Sequence, residues 1–152
     1  MRSSTPIPSP RDPRLEAWRT FLVAHAQLRR QLERELQAEQ TLSLGEYEVL
    51  LLLAQADKRR LRMSELADRL VLSRSGVTRL VDRLQEAALV ARGSCDTDRR
   101  GSWAILSDAG HRRLRDASPT HLRGVGEHFL DRIPAGELEA LRRTLDRVLE
   151  TA

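Results

Sequence analysis

The sequence predicts a mainly α-helical fold with a small β-hairpin, and three observations lead to this prediction. Residues 63–84 carry two helical apolar patterns that are separated by a short turn. Residues 89–106 then contain two strand patterns around a polar loop. Before residue 40 and after residue 107, apolar residues recur at steps of three and four. Elements in this order are typical of a winged helix-turn-helix with helices on both sides of it.

The two short helices have the side chains that they need to pack across a tight angle. In the first, Leu66 and Leu70 are expected to face inward beside the small Ala67, while Val71 and Leu72 close the turn. The second helix has an apolar stripe about one face wide, formed by Val77, Leu80, Val81 and Leu84. We therefore expect the two helices to bury one another.

Polar side chains remain on the outer face and at the start of the second helix: Ser73, Arg74, Ser75, Thr78, Arg79 and Arg83. Arginine can donate two hydrogen bonds to guanine, and hydroxyls suit phosphates or either base. Ser73 and, in the first helix, Ser64 are the predicted N-caps. Gly76 is unfavourable within a helix, so we expect it to allow close approach to the first helix or to DNA. Double-stranded DNA is the partner that this pattern suggests, and an ordinary helical hairpin with a charged solvent face is the alternative.

A β-hairpin with a cationic tip is predicted after the helices, with strands at Leu89–Arg92 and Ser102–Leu106. The loop between them contains Asp98, Arg99 and Arg100. A carboxylate can fix the direction of a guanidinium by a charge-assisted hydrogen bond. Asp98 is therefore expected to orient an arginine for a narrow minor groove.

With these elements in place, the chain resembles the MarR family of bacterial transcription regulators. The matching stretches are LSLGEYEVLLLLA, MSELADRLVLSRSGVTRLVDRLQ and DTDRRGSWAILSDAG. The resemblance implies that Ser73–Arg83 is the recognition helix. It also implies that Arg100, oriented by Asp98, enters the minor groove, while Arg99 meets a phosphate. Ala88 stands where the family commonly has Gly, so the recognition helix is expected to end differently here.

The chain is predicted to be one MarR-like domain over residues 14–152, after a disordered, proline-rich arm at 1–13. Residues 43–106 are the predicted DNA-binding region, and 14–40 and 107–152 are the predicted dimerisation helices. Ser107 and Pro134 mark the starts of two helices in the second of these segments. The apolar stripes that need a partner surface are Leu15, Trp18, Leu22, His25, Leu28, Leu32 and Leu36 at one end, and Leu138, Leu141, Leu145, Val148 and Leu149 at the other.

These stripes could pack within one chain or between two, and the resemblance favours a homodimer that binds an inverted repeat. A net charge of +4 and a pI of about 10.4 agree with a polyanionic partner. We expect a sequence-specific transcription regulator, specifically a ligand-responsive repressor. A non-specific architectural DNA-binding protein is the alternative, and would show little preference among sequences. An enzyme is not expected, because no constellation of acid, base, nucleophile or metal ligands is present at a meaningful spacing.

The resemblance further implies a small-molecule pocket between the dimer helices and the DNA-binding region. Trp18, His25 and Tyr47 are the candidate lining residues, because they combine flat apolar surface with polar atoms in a chain that is only 3% aromatic. The alternative is that each is a core residue whose polar atoms are satisfied.

Other regulatory features are weaker. Cys95 lies in the predicted wing and is either an incidental thiol or a redox switch activated by nearby arginines. The peroxide-sensing branch of the family has its cysteine near the first helix, so Cys95 does not match it. No cofactor or metal is expected, although His111, His121 and His128 share one predicted helix, because the last two lie roughly 10 Å apart along its axis. No apolar run approaches the roughly 20 residues that span a bilayer, and no signal segment opens the chain, so a cytoplasmic protein is predicted.

Overall fold

The computed structural model describes residues 7–95 and 98–150, with the backbone alone for residues 95 and 98–101. This part of the chain is mainly helical with a small antiparallel sheet, which confirms the predicted fold class. Its helices are α1 (Leu15–Gln40), α2 (Leu44–Gln55), α3 (Met63–Leu70), α4 (Arg74–Glu86), α5 (Asp108–His128) and α6 (Ala135–Leu149). Its strands are β1 (Arg60–Arg62), β2 (Val90–Cys95) and β3 (Asp98–Leu106).

The sheet has the strand order β1-β3-β2, so β3 lies in the middle. Arg62 of β1 pairs with Trp103, and Val90 of β2 pairs with Leu106. The wing strands β2 and β3 were predicted from sequence and are longer than expected. The sequence did not predict β1, because three residues are too short for an alternating pattern to be recognised.

Residues 43–106, which we call the head, contain most of the buried apolar side chains. The predicted stripe of α4 is buried as a whole: Val77, Leu80, Val81 and Leu84. The helices α1, α5 and α6, which we call the frame, contribute much less to this core. The described part of α1 buries Leu36 alone, and α6 buries no residue.

Within the frame, α1 and α5 approach closely at Gly124. A Cβ atom there would lie 2.5 Å from Oε2 of Glu35 and 2.7 Å from Cδ2 of Leu32, so no larger residue fits without movement. Oε1 of Glu35 also lies 2.6 Å from Nε2 of His128. Glu39 bonds to Arg123 on the next turn. Polar contacts therefore fix the C-terminal half of α1 on α5.

The first helix of the helix-turn-helix starts differently from the prediction. Ser64 is not the N-cap, because α3 already begins at Met63. Instead, the Glu65 carboxylate accepts a hydrogen bond of 2.8 Å from the backbone N–H of Arg62. The prediction for Ser73 is confirmed, since its Oγ accepts from the backbone N–H of Gly76 at 3.1 Å.

This region differs from the prediction at two further positions. Val71 does not bury its side chain in the turn but leaves 89% of its surface exposed. Gly76 does not approach α3: a Cβ atom there would meet Ser73 Oγ at 3.2 Å and Leu72 Cβ at 3.8 Å, and its close approach to DNA stays a prediction. The glycine therefore makes room for the side chain that caps its own helix.

The recognition helix ends in the left-handed conformation in spite of its alanine, so the expectation of a different end was wrong. Ala88 has φ 58°, and its N–H donates to Gln85 O at 2.9 Å. The N–H of Leu89 donates to Leu84 O at 2.8 Å. This pair of bonds is the Schellman pattern, in which glycine is the usual residue at the left-handed position.

The predicted arm is only partly described. Residues 1–6 lie outside the described residues, and 7–14 form neither helix nor strand. The predicted starts at Ser107 and Pro134 are confirmed, because α5 and α6 begin directly after them. Among the described residues, no helix is long and apolar enough to cross a membrane.

Candidate nucleic-acid interface

The exposed face of α4 brings together five of the residues that the sequence predicted to contact DNA. Ser73 caps the helix, and its Oγ lies 3.2 Å from the Oγ of Ser75. The hydroxyl of Thr78 donates to the carbonyl oxygen of Arg74 at 2.9 Å. Arg74 and Arg79 are exposed on the same surface. Because the opposite face of α4 is buried in the head, these side chains are presented on a rigid element.

Arg83, the sixth predicted residue on α4, bonds to another helix. Its Nε donates to Oε1 of Glu46 at 2.8 Å, and Oε2 of Glu46 accepts from the backbone N–H of Ser43 at 2.9 Å. Burial alone would raise the pKa of the Glu46 carboxyl, but the hydrogen bonds from Arg83 and Ser43 outweigh it and hold that pKa below its ordinary value. One carboxylate thus caps α2 and joins it to α4.

Glycine lets α2 and α4 approach at a second point. A Cβ atom at Gly45 would lie 3.1 Å from Cδ2 of Leu80, closer than ordinary contact. The Gly45 and Glu46 pair therefore sets both the distance and the rotation of α4 relative to α2. Sequence reasoning missed this pair, because a glycine and a glutamate at the start of a helix also fit a solvent-exposed capping box.

The base of the wing is joined to the rest of the head by charged side chains. Arg92 of β2 donates to Asp82 of α4 at 2.5 Å. On the other side of the sheet, the guanidinium carbons of Arg60 and Arg62 lie 4.7 and 5.4 Å from the ring centroid of Trp103. Stacking of a guanidinium on an indole ring is favourable. The sequence held a signal for this contact in the Arg-x-Arg spacing of β1, which places both side chains on one face.

The tip of the wing is only partly described. Asp98, Arg99 and Arg100 lie in β3, but their side chains lie outside the described residues, so the predicted orientation of Arg100 by Asp98 stays a prediction. The same holds for the side chain of Cys95, the proposed redox switch, at the end of β2.

The structure does not bring the three predicted ligand residues together. Trp18 and His25 are exposed on α1, and each lies beside Phe21 with ring centroids 6.2 and 6.3 Å apart. Tyr47 is buried in α2, where its hydroxyl bonds to Ser118 Oγ at 3.3 Å. An open groove of about 870 Å³ lies elsewhere, between α1 and the end of α5, and is lined in part by Gln31, Arg34, His128 and Phe129.

Two of the three histidines of α5, His121 and His128, have separate surroundings. The ring of His121 packs on Tyr47 with centroids 4.4 Å apart, and burial lowers the pKa of its imidazole below the ordinary value, although the Glu48 carboxylate acts in the opposite direction. His128 bonds to Glu35, as described above. Over the described ranges, no three His, Cys, Asp or Glu side chains are grouped as metal ligands would be.

Comparison with known proteins identifies relatives of the head and of the whole chain. A family model described as MarR family matches residues 40–101. The HTH-type transcriptional regulator MhqR of Bacillus subtilis (strain 168) is 29% identical over 86 residues. That alignment covers 57% of this chain and 59% of MhqR, so it spans little more than half of that regulator.

Solved structures match over nearly the full length. AbsC of Streptomyces coelicolor, a MarR family transcriptional regulator, is 33% identical with a TM-score of 0.82, and the match covers 97% of both chains. Sco3205 of the same organism, solved in complex with DNA, is 31% identical with a TM-score of 0.84 over 97% of this chain and 91% of its own. BldR of Sulfolobus solfataricus, at 22% identity and a TM-score of 0.81, shares the fold. The predicted family is thereby confirmed, and the chain belongs to the MarR family of transcription regulators.

Proposed function

We propose that this transcription regulator binds double-stranded DNA at specific sequences, as a homodimer on an inverted repeat. The observation that carries the proposal is the exposed, cationic face of α4 above a fully buried apolar stripe. A helix held in this way can enter a major groove without being displaced from its own domain. The DNA complex of Sco3205, a relative of the same fold, supports DNA as the partner.

The proposed contacts divide between two grooves. Arg74, Ser75, Thr78 and Arg79 face base edges and phosphates of the major groove. Ser73 is already used as a cap, and Arg83 is joined to Glu46, so these two are assigned to nearby phosphates. Arg100, oriented by Asp98, enters the minor groove, and Arg99 meets a phosphate. Phosphate contacts position the protein, whereas base contacts select the sequence.

The homodimer is proposed because the frame leaves large apolar side chains uncovered in a single chain. Large apolar side chains of α1 and α6 are each 44–72% exposed: Trp18, Phe21, Leu22, Val23 and Leu149. Trp18 and Phe21 lie beside one another on α1, and exposed apolar side chains that are grouped in this way mark a protein interface. Two chains joined through their frames present two recognition helices related by a two-fold axis, which matches an inverted repeat.

We further propose a ligand-responsive repressor, in which a small molecule changes the spacing of the two recognition helices. The supporting observation is a chain of contacts through α2. Arg29 of α1 bonds to Glu48 at 2.7 Å, Glu33 accepts from the backbone N–H of Leu44 at 2.6 Å, and the Glu46–Arg83 pair continues to α4. Trp18, His25 and Tyr47 remain the proposed ligand residues. A change in α1 would therefore be transmitted to the recognition helix through α2.

The proposed function is tested by comparing the affinity of the protein for selected DNA fragments with its affinity for scrambled DNA. Fragments are selected by the purified protein from a random pool, and affinities are compared at one fixed salt concentration. Arg79→Ala should weaken binding to the selected fragment by about 1–3 kcal/mol, which corresponds to the loss of one bidentate base contact. It should weaken binding to scrambled DNA much less.

The control is Arg143→Ala, an exposed arginine on α6 of the frame, which should leave both affinities unchanged. Equal affinity of the wild type for selected and scrambled DNA would contradict sequence-specific binding and favour the architectural alternative.

A further inference from the structure

The turn between α3 and α4 contains an apolar side chain that the fold does not use. Val71 is 89% exposed, and its backbone is left-handed with φ 53° and ψ 43°. A β-branched residue is rare in this conformation, because its Cβ substituents crowd the backbone. Among the described residues with positive φ, Val71 is the one with a large apolar side chain.

The end of α3 does not need this side chain. The N–H of Val71 donates to Asp68 O at 3.3 Å, and the N–H of Leu72 donates to Ala67 O at 3.1 Å. Both bonds use backbone atoms only, so glycine would make them with less strain. Neither local hydrogen bonding nor burial explains a valine here. A strained residue that the fold does not require is a candidate for function.

The position of Val71 relative to α4 indicates what it meets. It precedes the N-cap Ser73 by two residues, and exposed Arg74 and Ser75 follow directly. When the N-terminus of α4 enters a major groove, this turn comes to the edge of that groove. The exposed face of α4 that follows carries Arg74 and Arg79, so DNA is the partner that fits this surface. The one apolar group that bases present in the major groove is the 5-methyl of thymine.

We propose that Val71 contacts the 5-methyl group of a thymine at the edge of each half-site and makes the regulator prefer thymine there. This inference rests on the proposed function, because it requires that α4 binds in the major groove. It adds a specificity residue outside the recognition helix. In this proposal, the left-handed backbone of Val71 is strained and also directs the side chain away from α3, toward the DNA.

Replacement of single thymines by deoxyuridine tests the contact. Deoxyuridine pairs with adenine as thymine does and lacks only the 5-methyl group. In a fragment selected by the wild-type protein, each thymine is replaced in turn. One position in each half-site should lose affinity by about fourfold, the value expected for burial of one methyl group. Val71→Gly should bind the thymine and deoxyuridine fragments equally at that position, and Val71→Ala, which keeps only the Cβ atom, should show a smaller difference than the wild type.

The two variants and one control separate the contact from folding. Val71→Ala keeps a Cβ atom in the same backbone conformation, and Val71→Gly relieves the strain, so at least one of them folds as the wild type does. Thr41→Gly changes a second exposed left-handed residue, with φ 51° at the end of α1, and should retain the wild-type sensitivity to deoxyuridine.

Three results would overturn the proposal. If no deoxyuridine position weakens wild-type binding, Val71 contacts no thymine methyl. If the sensitivity persists in Val71→Gly, another residue makes the contact. In both cases specific binding remains, and the proposed function stands. If the wild type does not prefer selected to scrambled DNA, the proposed function fails and this contact fails with it.

Discussion

The head and the frame carry apolar stripes of the same kind, but only the head buries its stripe within one chain. In α4, Leu84 is 2% exposed, whereas Leu149 at an equivalent apolar position of α6 is 72% exposed. The head packs three helices and a sheet around one core. The frame instead joins α1 to α5 largely through polar contacts, such as Glu35 with His128, and leaves apolar residues such as Trp18 and Leu149 exposed. A helical period therefore tells which residues share a face, but not which molecule covers that face.

The difference assigns separate tasks to the two regions. The head has its core completed within one chain, with help from Leu36 of α1 and Leu114 of α5, so the exposed face of α4 is held in place without a second chain. In the proposed dimer, a second chain would cover the exposed apolar side chains of the frame and would place the two heads at a defined distance. Substitutions in the two regions should consequently change different measured quantities.

The largest effect is expected in the core of the head. Leu84→Ala removes a fully buried side chain and should lower the free energy of unfolding by about 2–5 kcal/mol. The measurement is urea unfolding followed by circular dichroism. Leu84→Met keeps the volume and should cost less than about 1.5 kcal/mol, which distinguishes a packing defect from general intolerance at this position. An equal loss in both variants would contradict the packing account.

The next effect is expected in the frame and concerns self-association. Phe21 is 47% exposed and lies between the rings of Trp18 and His25. If a partner covers this surface, Phe21→Ala should raise the dimer dissociation constant roughly thirtyfold, which corresponds to about 2 kcal/mol of dimerisation free energy. Truncation of an aromatic residue at the centre of an interface typically has an effect of this size. Arg19→Ala on the same helix is the matched control and should change it little. Sedimentation velocity over a concentration series measures both, and equal effects of the two substitutions would count against the interface.

A smaller effect of opposite sign is expected at the end of α4. Ala88→Gly should raise the free energy of unfolding by about 0.5–1 kcal/mol, because glycine avoids the left-handed penalty at a cost in chain entropy. Ala87 has φ −81° and gains nothing from this change, so Ala87→Gly should lower stability. A loss of stability in Ala88→Gly would show that the alanine methyl group has a packing role.

The smallest effect is expected at the contact between head and frame, where His121 packs on Tyr47. Burial holds the pKa of His121 below its ordinary value, so the unfolded chain takes up the proton first as pH falls. The contribution of this contact to stability is therefore complete above about pH 6.5 and is lost as pH falls below it. Unfolding free energies at about pH 7 and pH 5.5 should differ less for His121→Phe than for the wild type. If the difference between the two pH values is the same in His121→Phe and in the wild type, His121 does not cause the pH dependence of stability.

Much of the fold was predictable from the sequence because its signals are local. The stripe of α4, the Ser73 and Ser107 caps and the wing strands all depend on residues near one another in the chain. The N-cap prediction for Ser64 was wrong because Glu65, one residue later, provides the competing cap. The strand β1 was not predicted because it is too short to show an alternating pattern. The ends of α3 and α4, at Val71 and Ala88, were wrongly predicted because backbone hydrogen bonds stabilise the left-handed conformation there in spite of the preference for glycine.

The candidate site was less predictable, since its contacts join distant parts of the chain. The exposed face of α4 follows from its buried stripe, so Arg74 and Arg79 could be placed. The pairing of Arg83 with Glu46 could not, because the sequence offers several oppositely charged partners for each of these side chains. The stacking of Arg60 on Trp103 was missed because β1 is too short to be predicted, although the Arg-x-Arg spacing was a signal for it. Tyr47 and Trp18 share a chemical character, but one is buried in the head and the other exposed on the frame.

The self-association of the purified chain tests the central claim most directly, because the claim requires that a second copy covers the apolar surface of α1 and α6. Sedimentation equilibrium at micromolar concentration, without DNA, should give twice the chain mass of 17.3 kDa. Phe21→Ala should shift the mass toward that of one chain, and Leu84→Met should not. A wild-type protein that sediments as a monomer across this range would contradict the account.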